Sequence, residues 1–416
     1  MLLEFSCKNF RSILNSTTLS MMASDDESHL AKLVAFGGKK FVRASAIFGP
    51  NGTGKTTILL AIRTMAWLVT HSKKIITGYD LPYEPHLLNQ NKPSTFACWF
   101  EKNGIRFYYE FSFDPEGIKY EGLFFVENNI IKTIYERKNS EISFFDREEY
   151  KPIALDSLEF YQYSLILSHF KDYGEDFQCA YDFFANDIVC FDLYPEKVWS
   201  AANAVDFFDN IQLKNEFLKI IQKINPEIQD VLIELNKTKV SKLEESSTEN
   251  VIFEFAADSE ISDKAMRFDP FIKIKYKNFS IPLTEESLGM QKLFLYLCPI
   301  LDCVYNGKVF ICDELERSFH PILVNKIFEL FQKNIKSASQ IICTTHNSDL
   351  LDLKILRKDQ VWFTELTDVK QGTSLFSLSD IKDVADDEDI RLGYLEGMYG
   401  GVPENIFESL LGADND

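Results

Sequence analysis

The chain has 416 residues and carries 63 acidic against 44 basic side chains, a formal net charge of −19. That length predicts two or three structural units, and that charge repels nucleic acid at long range, so contact with it would need a local basic patch or a partner. Apolar residues make up 45% and charged residues 26%, with 36 Phe and 17 Tyr, which excludes global disorder and any need for a disulfide or metal staple.

The first residues, MLLEFSCKNFRS, lack the apolar core of a signal peptide. Residues 2–7 alternate and read as a strand, and residues 41–48 form a second one that runs into a Gly-rich loop. From Thr56 to about Val69 the pattern is apolar and helical. Residues 80–94 read as a loop. Residues 95–147 predict aromatic antiparallel strands, with a hairpin turning at Asn103-Gly104. From about 155 to 245 the period is helical, without the heptads of a long coiled coil. Residues 241–250 read as a loop, and strands are predicted at 251–256 and 271–281. A helix follows from Glu286 to about Tyr305. Strand, helix, strand, helix then occupy 308–312, 320–333, 340–344 and 348–353. No apolar run reaches the ~20 residues of a membrane span. The eight cysteines form no C-x-x-C pair, so buried free thiols in a cytoplasmic protein are expected.

Gly49-Pro-Asn-Gly-Thr-Gly54-Lys55-Thr56 fits G-x-x-x-x-G-K-[ST] between a predicted strand and helix. Glycines let backbone N–H groups wrap phosphates at a helix N-terminus. Lys55 is expected to reach the β- and γ-phosphates of ATP, and Thr56 to ligate Mg²⁺. The strand Val309-Phe-Ile-Cys312 delivers Asp313 and Glu314 at its C-terminal end, where ligands of α/β sheets bind. Asp313 is the second candidate for Mg²⁺, and Glu314 the general base for the attacking water. Ser287-Leu-Gly289-Met-Gln291 opens a helix; a Ser hydroxyl and a Gly backbone there form an anion site without lysine, and Ser287 is equally an ordinary N-cap. His346 follows the next apolar strand. His320, in Glu316-Arg-Ser-Phe-His320-Pro321, has no metal partner in view and is expected to orient its loop.

The order Asn9-Phe10-Arg11-Ser12, Gly49 to Thr56, Ser287 to Gln291, Asp313 to Pro321 and Thr344-Thr-His-Asn-Ser348 resembles the SMC- and RecF-like branch of ABC ATPases. More narrowly, it is similar to the prokaryotic ATPases of the AAA_15/AAA_21 type found in phage-defence operons. The stretches Leu356 to Glu365, SLFSLSDIKD and Gly393 to Pro403 resemble the ATPase subunits paired with small Toprim-type or related nucleases, as in the PARIS and RloA/RloB-like systems. The resemblance covers residues 1–125 and 270–405.

It implies an α/β ABC-ATPase head: an N-terminal lobe with antiparallel strands over 1–150, a helical insertion over 151–250 and a C-terminal lobe over 251–416. It adds Arg11, Asn51, Gly52, Gly54 and Thr57 to the nucleotide contacts. It places Ser287, Gly289 and Gln291 on the γ-phosphate of the opposite subunit, and makes His346 a switch histidine. Gln90 is the nearest candidate for a Q-loop glutamine.

The function this implies is an ATP-hydrolysing sensor or scaffold of an anti-phage complex, working as a homo-oligomer that controls a separate effector nuclease and answers a phage trigger. Candidate docking segments are the apolar helices at 207–221 and the tail after Asp383. A RecF-type DNA-repair ATPase is the alternative, against which the charge weighs. An OLD-type nuclease is disfavoured because little chain follows His346 to hold a Toprim domain. The acidic run Asp383, Asp386, Asp387, Glu388, Asp389 reads as solvated helix capping.

Overall fold

The computed structural model describes residues 1–139, 141–144, 162–191, 193, 201–239, 266–317, 319–334, 336–366, 370–382, 384–385 and 388–400. The chain divides into two units, Met1–Leu193 with Gly307–Asp416, and Tyr194–Asn306.

The first unit begins with β1 (Leu2–Lys8) and β2 (Thr17–Ser20), a small hairpin β3 (Val34–Phe36) and β4 (Lys39–Phe41), then β5 (Ala44–Phe48) and helix α1 (Lys55–His71). Five antiparallel strands follow: β6 (Ser94–Lys102), β7 (Ile105–Asp114), β8 (Gly117–Glu127), β9 (Ile130–Lys138) and β10 (Glu141–Phe144). Short helices α2 (Ile166–Phe170) and α3 (Glu175–Asp182) lead to β11 (Ile188–Phe191).

The second unit holds α4 (Ala201–Asp209), α5 (Ile211–Ile224), the sheet β12 (Ile228–Lys239), β13 (Met266–Tyr276) and β14 (Ser280–Pro282), and α6 (Leu288–Asn306). The chain then returns to the first unit as β15 (Val309–Cys312), α7 (Pro321–Lys333), β16 (Gln340–Thr344), β17 (Val361–Glu365), β18 (Ser374–Ser377) and α8 (Ile390–Leu395).

Two sheets build the first unit. The antiparallel one has the order β10-β9-β8-β7-β6-β1-β2. Alternation on β7 turns Phe107, Tyr109, Phe111 and Phe113 inward, as period-2 patterning requires. The turn between β6 and β7 has Asn103 and Gly104 at φ 54° and 81°, the left-handed pair of a tight hairpin. The other sheet has the order β11-β15-β16-β5-β17-β18. Its first five strands are parallel and β18 runs antiparallel. β5, β15 and β16 are buried throughout, the continuous apolar signature of a sheet covered on both faces. The fold is thus α/β with an antiparallel lobe, as the sequence predicts.

Several elements differ from expectation. Ile188–Phe191 is a strand paired in parallel with β15, and Ile228–Lys239 is a strand paired with β13, both inside the stretch read as helical. Four residues are too few to show a period, and pairing across the sheet decides. The helix expected at 348–353 is only a single turn, Ser348–Leu350, capped by Asn347. The readings at 241–250 and 251–256 lie outside the described residues.

The 207–221 segment is core: Phe207, Phe208, Leu213, Phe217 and Ile221 are buried, with Phe217 and Phe294 at 4.4 Å between ring centroids. The 19-residue α6 meets the length and composition of a membrane span, contrary to the sequence reading. It is a core helix of its unit, with Phe294, Leu297, Cys298 and Leu301 buried. All eight cysteines are free; seven are buried and Cys190 is half-buried.

Candidate nucleotide site

The loop 49–54 connects β5 to α1 at the C-terminal end of the parallel strands. Asn51 and Gly52 lie exposed at its tip, while Thr53 and Lys55 are buried. Lys55 folds over the loop and donates from Nζ to the carbonyls of Gly49 (2.7 Å) and Pro50 (2.9 Å). Burial lowers its ammonium pKa below the usual lysine value, and the nearby Glu314, Asp313 and Glu316 act in the opposite sense.

Hydroxyls hang the loop from its surroundings. Thr53 Oγ1 lies 2.7 Å from Thr364 Oγ1 on β17. Thr373 Oγ1, ahead of β18, is 2.8 Å from both the Thr53 carbonyl and Ser12 Oγ. Ser12 Oγ in turn donates to Thr57 Oγ1 at 3.2 Å. This packing dictates glycine at position 49, where an added Cβ would lie 2.5 Å from Thr364 Oγ1 at a φ of +146°.

One strand, β16, separates β5 from β15. Across that gap Thr56 Oγ1 donates to both carboxylate oxygens of Asp313, at 3.1 and 3.0 Å. Thr344 at the end of β16 donates from Oγ1 to Asp313 and accepts the Glu314 amide at 2.9 Å. Glu314 sits at φ +45°, and its carboxylate pairs with Arg317. His346 is partly exposed, with Nε2 3.9 Å from Glu314 Oε1, while its amide donates to Glu316 Oε1 at 2.5 Å.

Hard oxygen donors from a hydroxyl and a carboxylate, side by side at the start of the helix that Lys55 opens, suit Mg²⁺ joined to a polyphosphate. Among the described residues no group of three His, Cys, Asp or Glu side chains could hold a metal without such added ligands.

Arg11 stands at φ 50°, with its amide held by the Glu84 carbonyl at 2.7 Å and its guanidinium paired with the Glu84 carboxylate. The Arg11–Ser12 turn, the 84–87 segment and Leu366 line an open cleft of about 360 Å³. Gln90 is exposed, and its carbonyl accepts from Tyr83.

In the second unit, Ser287 caps α6 through an Oγ contact to the Met290 amide at 3.3 Å. An added Cβ at Gly289 would meet nothing within 4 Å. Gln291 is buried and donates to the Thr284 and Glu286 carbonyls at 3.1 and 2.7 Å. These bonds turn its amide nitrogen toward the turn that precedes α6.

His320 accepts the Ile322 amide at 3.3 Å and caps α7. Asp389 caps α8, accepting from Leu392 at 3.0 Å; Asp383, Asp386 and Asp387 lie outside the described residues.

Thr344, Thr364, Thr373 and Ser12 are the site residues that motif reading left without a role. Ser12, Thr344 and Thr364 stood in the quoted strings without a role of their own, and no spacing marks Thr373.

The family described as "AAA domain, putative AbiEii toxin, Type IV TA system" matches residues 44–352. No curated protein matches the chain. Among the solved structures that match the chain are three SMC heads. One, bound to the C-terminal winged-helix domain of ScpA, is 13% identical with a TM-score of 0.45, covering 90% of this chain and 97% of that one. The SMC head domain from Thermotoga maritima is 16% identical with a TM-score of 0.39, covering 90% and 98%. A head with an extended coiled coil, from Pyrococcus furiosus, bound to the C-terminal domain of ScpA, is 13% identical with a TM-score of 0.39, covering 90% and 96%. The family match spans the phosphate loop, the Asp313-Glu314 strand end and His346, and the chain belongs to this AAA_21 family of P-loop ATPases.

Proposed function

We propose that this chain is the ATP-hydrolysing sensor or scaffold subunit of a prokaryotic anti-phage complex, and that it governs a separate effector nuclease. The observation that carries the ATPase part is the Thr56–Asp313 contact, which joins the two motif strands at one point. The defence part is supported by the family description, which names a toxin system, and by the resemblance of the chain's two ends to defence ATPases.

In this reading the loop amides and Lys55 hold the phosphates, with Asn51, Gly52, Gly54 and Thr57 around them and Arg11 at the rim. Thr56 and Asp313 hold Mg²⁺, which supplies charge neutralisation on the phosphate oxygens. Glu314 leaves its Arg317 partner and accepts a proton from the attacking water. His346 orients the terminal phosphate from beside Glu314. Thr344 positions Asp313 and the Glu314 amide at once. Ser287 and Gly289 act on the nucleotide of a second copy, so the working unit is at least a two-fold dimer.

The test is steady-state hydrolysis. Lys55→Ala should lose ATP binding. Glu314→Gln should bind ATP and turn it over about 10²- to 10⁴-fold more slowly, the range for loss of a general base. A Glu314→Gln variant at the wild-type rate removes Glu314 from that role. Co-expression with the neighbouring reading frame tests the defence part: a stable complex with a nuclease supports it, and failure to associate removes it while leaving the ATPase intact.

A further inference from the structure

The β17–β18 hairpin is remote in sequence from the phosphate loop, yet a threonine from each side of it reaches that loop. Thr364 on β17 sets its Oγ1 2.7 Å from Thr53 Oγ1 and donates to the Phe48 carbonyl at 3.3 Å. Thr373, the residue before β18, donates from Oγ1 to the Thr53 carbonyl at 2.8 Å. Both threonines are buried.

Thr373 is itself held in place. Its amide donates to the Ser12 carbonyl at 2.8 Å, and its Oγ1 lies 2.8 Å from Ser12 Oγ. Gly372, at φ +74°, lets the chain come that close: an added Cβ would lie 2.8 Å from Leu14 Cβ and 2.9 Å from the Ser12 carbonyl oxygen. The hydroxyl is therefore presented from a fixed backbone.

A peptide group is planar and trans, so its C=O and N–H point in opposite directions. The bond from Thr373 thus settles more than the place of the Thr53 carbonyl: it aims the Gly54 N–H away from Thr373. That amide takes no hydrogen-bond partner among the described residues, which leaves it open to a phosphate oxygen. Gly54 sits at φ +101°, and glycine accepts either sign of φ about as readily. Residue 54 itself does not stop the Thr53–Gly54 peptide from turning over, so an outside contact has to.

We infer that Thr373 is a positioning residue for nucleotide binding, a latch that keeps the Thr53–Gly54 peptide with its amide turned to the phosphates. The inference deepens the ATPase reading and rests on it. Without the hydroxyl, the peptide divides between two orientations, and affinity falls in proportion to the competent fraction. Once nucleotide is bound, the phosphate holds the amide in its place, so turnover at saturation is unchanged.

The experiment uses the full chain labelled with [15N]glycine, as wild type, Thr373→Val and Thr373→Ser, and measures MgATP affinity by calorimetry, kcat and the glycine amide spectrum. The Gly54 signal is identified by its loss in Gly54→Ala. Thr373→Val keeps the branched shape and removes the hydroxyl, so Kd should rise about 3- to 10-fold with kcat at saturation retained. Thr373→Ser should restore the wild-type Kd. The Gly54 signal should shift when MgATP is added to wild type and should broaden in free Thr373→Val. A wild-type Kd in folded Thr373→Val refutes the latch. So does a raised Kd that Thr373→Ser fails to restore, because the side chain then acts through its bulk. If Thr373→Val does not fold, the wild-type spectrum decides, and a Gly54 amide that ignores MgATP refutes the latch. Each of these results leaves the ATPase reading standing, whereas a wild-type chain that binds no MgATP overturns that reading and the latch with it.

Discussion

Gly54 and Gly52 share a loop but not a reason for being glycine. A Cβ on Gly54 would lie 2.3 Å from Thr373 Oγ1 and 2.8 Å from Ser12 Oγ at φ +101°, whereas one on Gly52, at φ +81°, would meet nothing within 4 Å. Gly52→Ala thus carries only the left-handed backbone cost, about 1–2 kcal/mol. Gly54→Ala adds the loss of the hydroxyl contacts that suspend the loop, about 1 kcal/mol for each hydrogen bond. ATP affinity measured by calorimetry should fall at least about tenfold further in Gly54→Ala than in Gly52→Ala; equal losses would show that Thr373 and Ser12 do not hold the loop. At this scale Lys55, Thr56, Asp313 and Glu314 were legible in the sequence because each belongs to a short local string. Thr364 and Thr373 were not, because they reach the loop through space from β17 and from the turn before β18.

Helix α2 shows how an element too short to persist alone is held. The Glu121 carboxylate of β8 is fully buried and accepts the Ile166 and Leu167 amides at 2.8 and 3.1 Å, together with the hydroxyls of Tyr109 and Tyr135. On the same helix, burial pushes the His169 imidazole down to about 4, with Lys73 and Arg137 acting in the same direction. The unfolded chain takes up this proton near its ordinary pKa of 6.5, and the folded chain resists until about pH 4. The stability linked to neutral His169 is therefore complete above pH 6.5 and drains as pH falls toward 4. Urea midpoints of wild type should drop more steeply across that window than those of His169→Gln, and parallel profiles would contradict the assignment. Element by element, the long periodic pieces were readable: the Asn103-Gly104 hairpin, α1, α6 and the β15–α7–β16 run. β11 is too short to display a period. β12 lies where helical spacing and strand alternation both fit, and only its partner β13 decides between them.

For the whole molecule, the charge of −19 sets a condition on assembly. Two copies repel one another, and the proposed two-fold sandwich would gain attraction only when nucleotide and Mg²⁺ fill it. The dimer should therefore depend on both MgATP and ionic strength, growing stronger as salt screens the repulsion. Mass photometry of Glu314→Gln with MgATP should show a doubling of the 48.0 kDa mass and a return to the single mass on nucleotide removal. A strict monomer under every condition would defeat the sandwich arrangement. The same charge weighs against a RecF-type DNA-facing groove.

The buried thiols give the folded chain an unusual chemical silence. Cys298 and Cys303 lie in the second unit, and Cys7, Cys98, Cys179, Cys312 and Cys343 are buried in the first. A thiolate is the species that alkylates, and burial holds Cys7, Cys98, Cys298 and Cys343 in the protonated form. Brief exposure to a maleimide during warming, read peptide by peptide, thus becomes a thermometer with two independent scales, one for each unit. It records which of them opens first without a single introduced label.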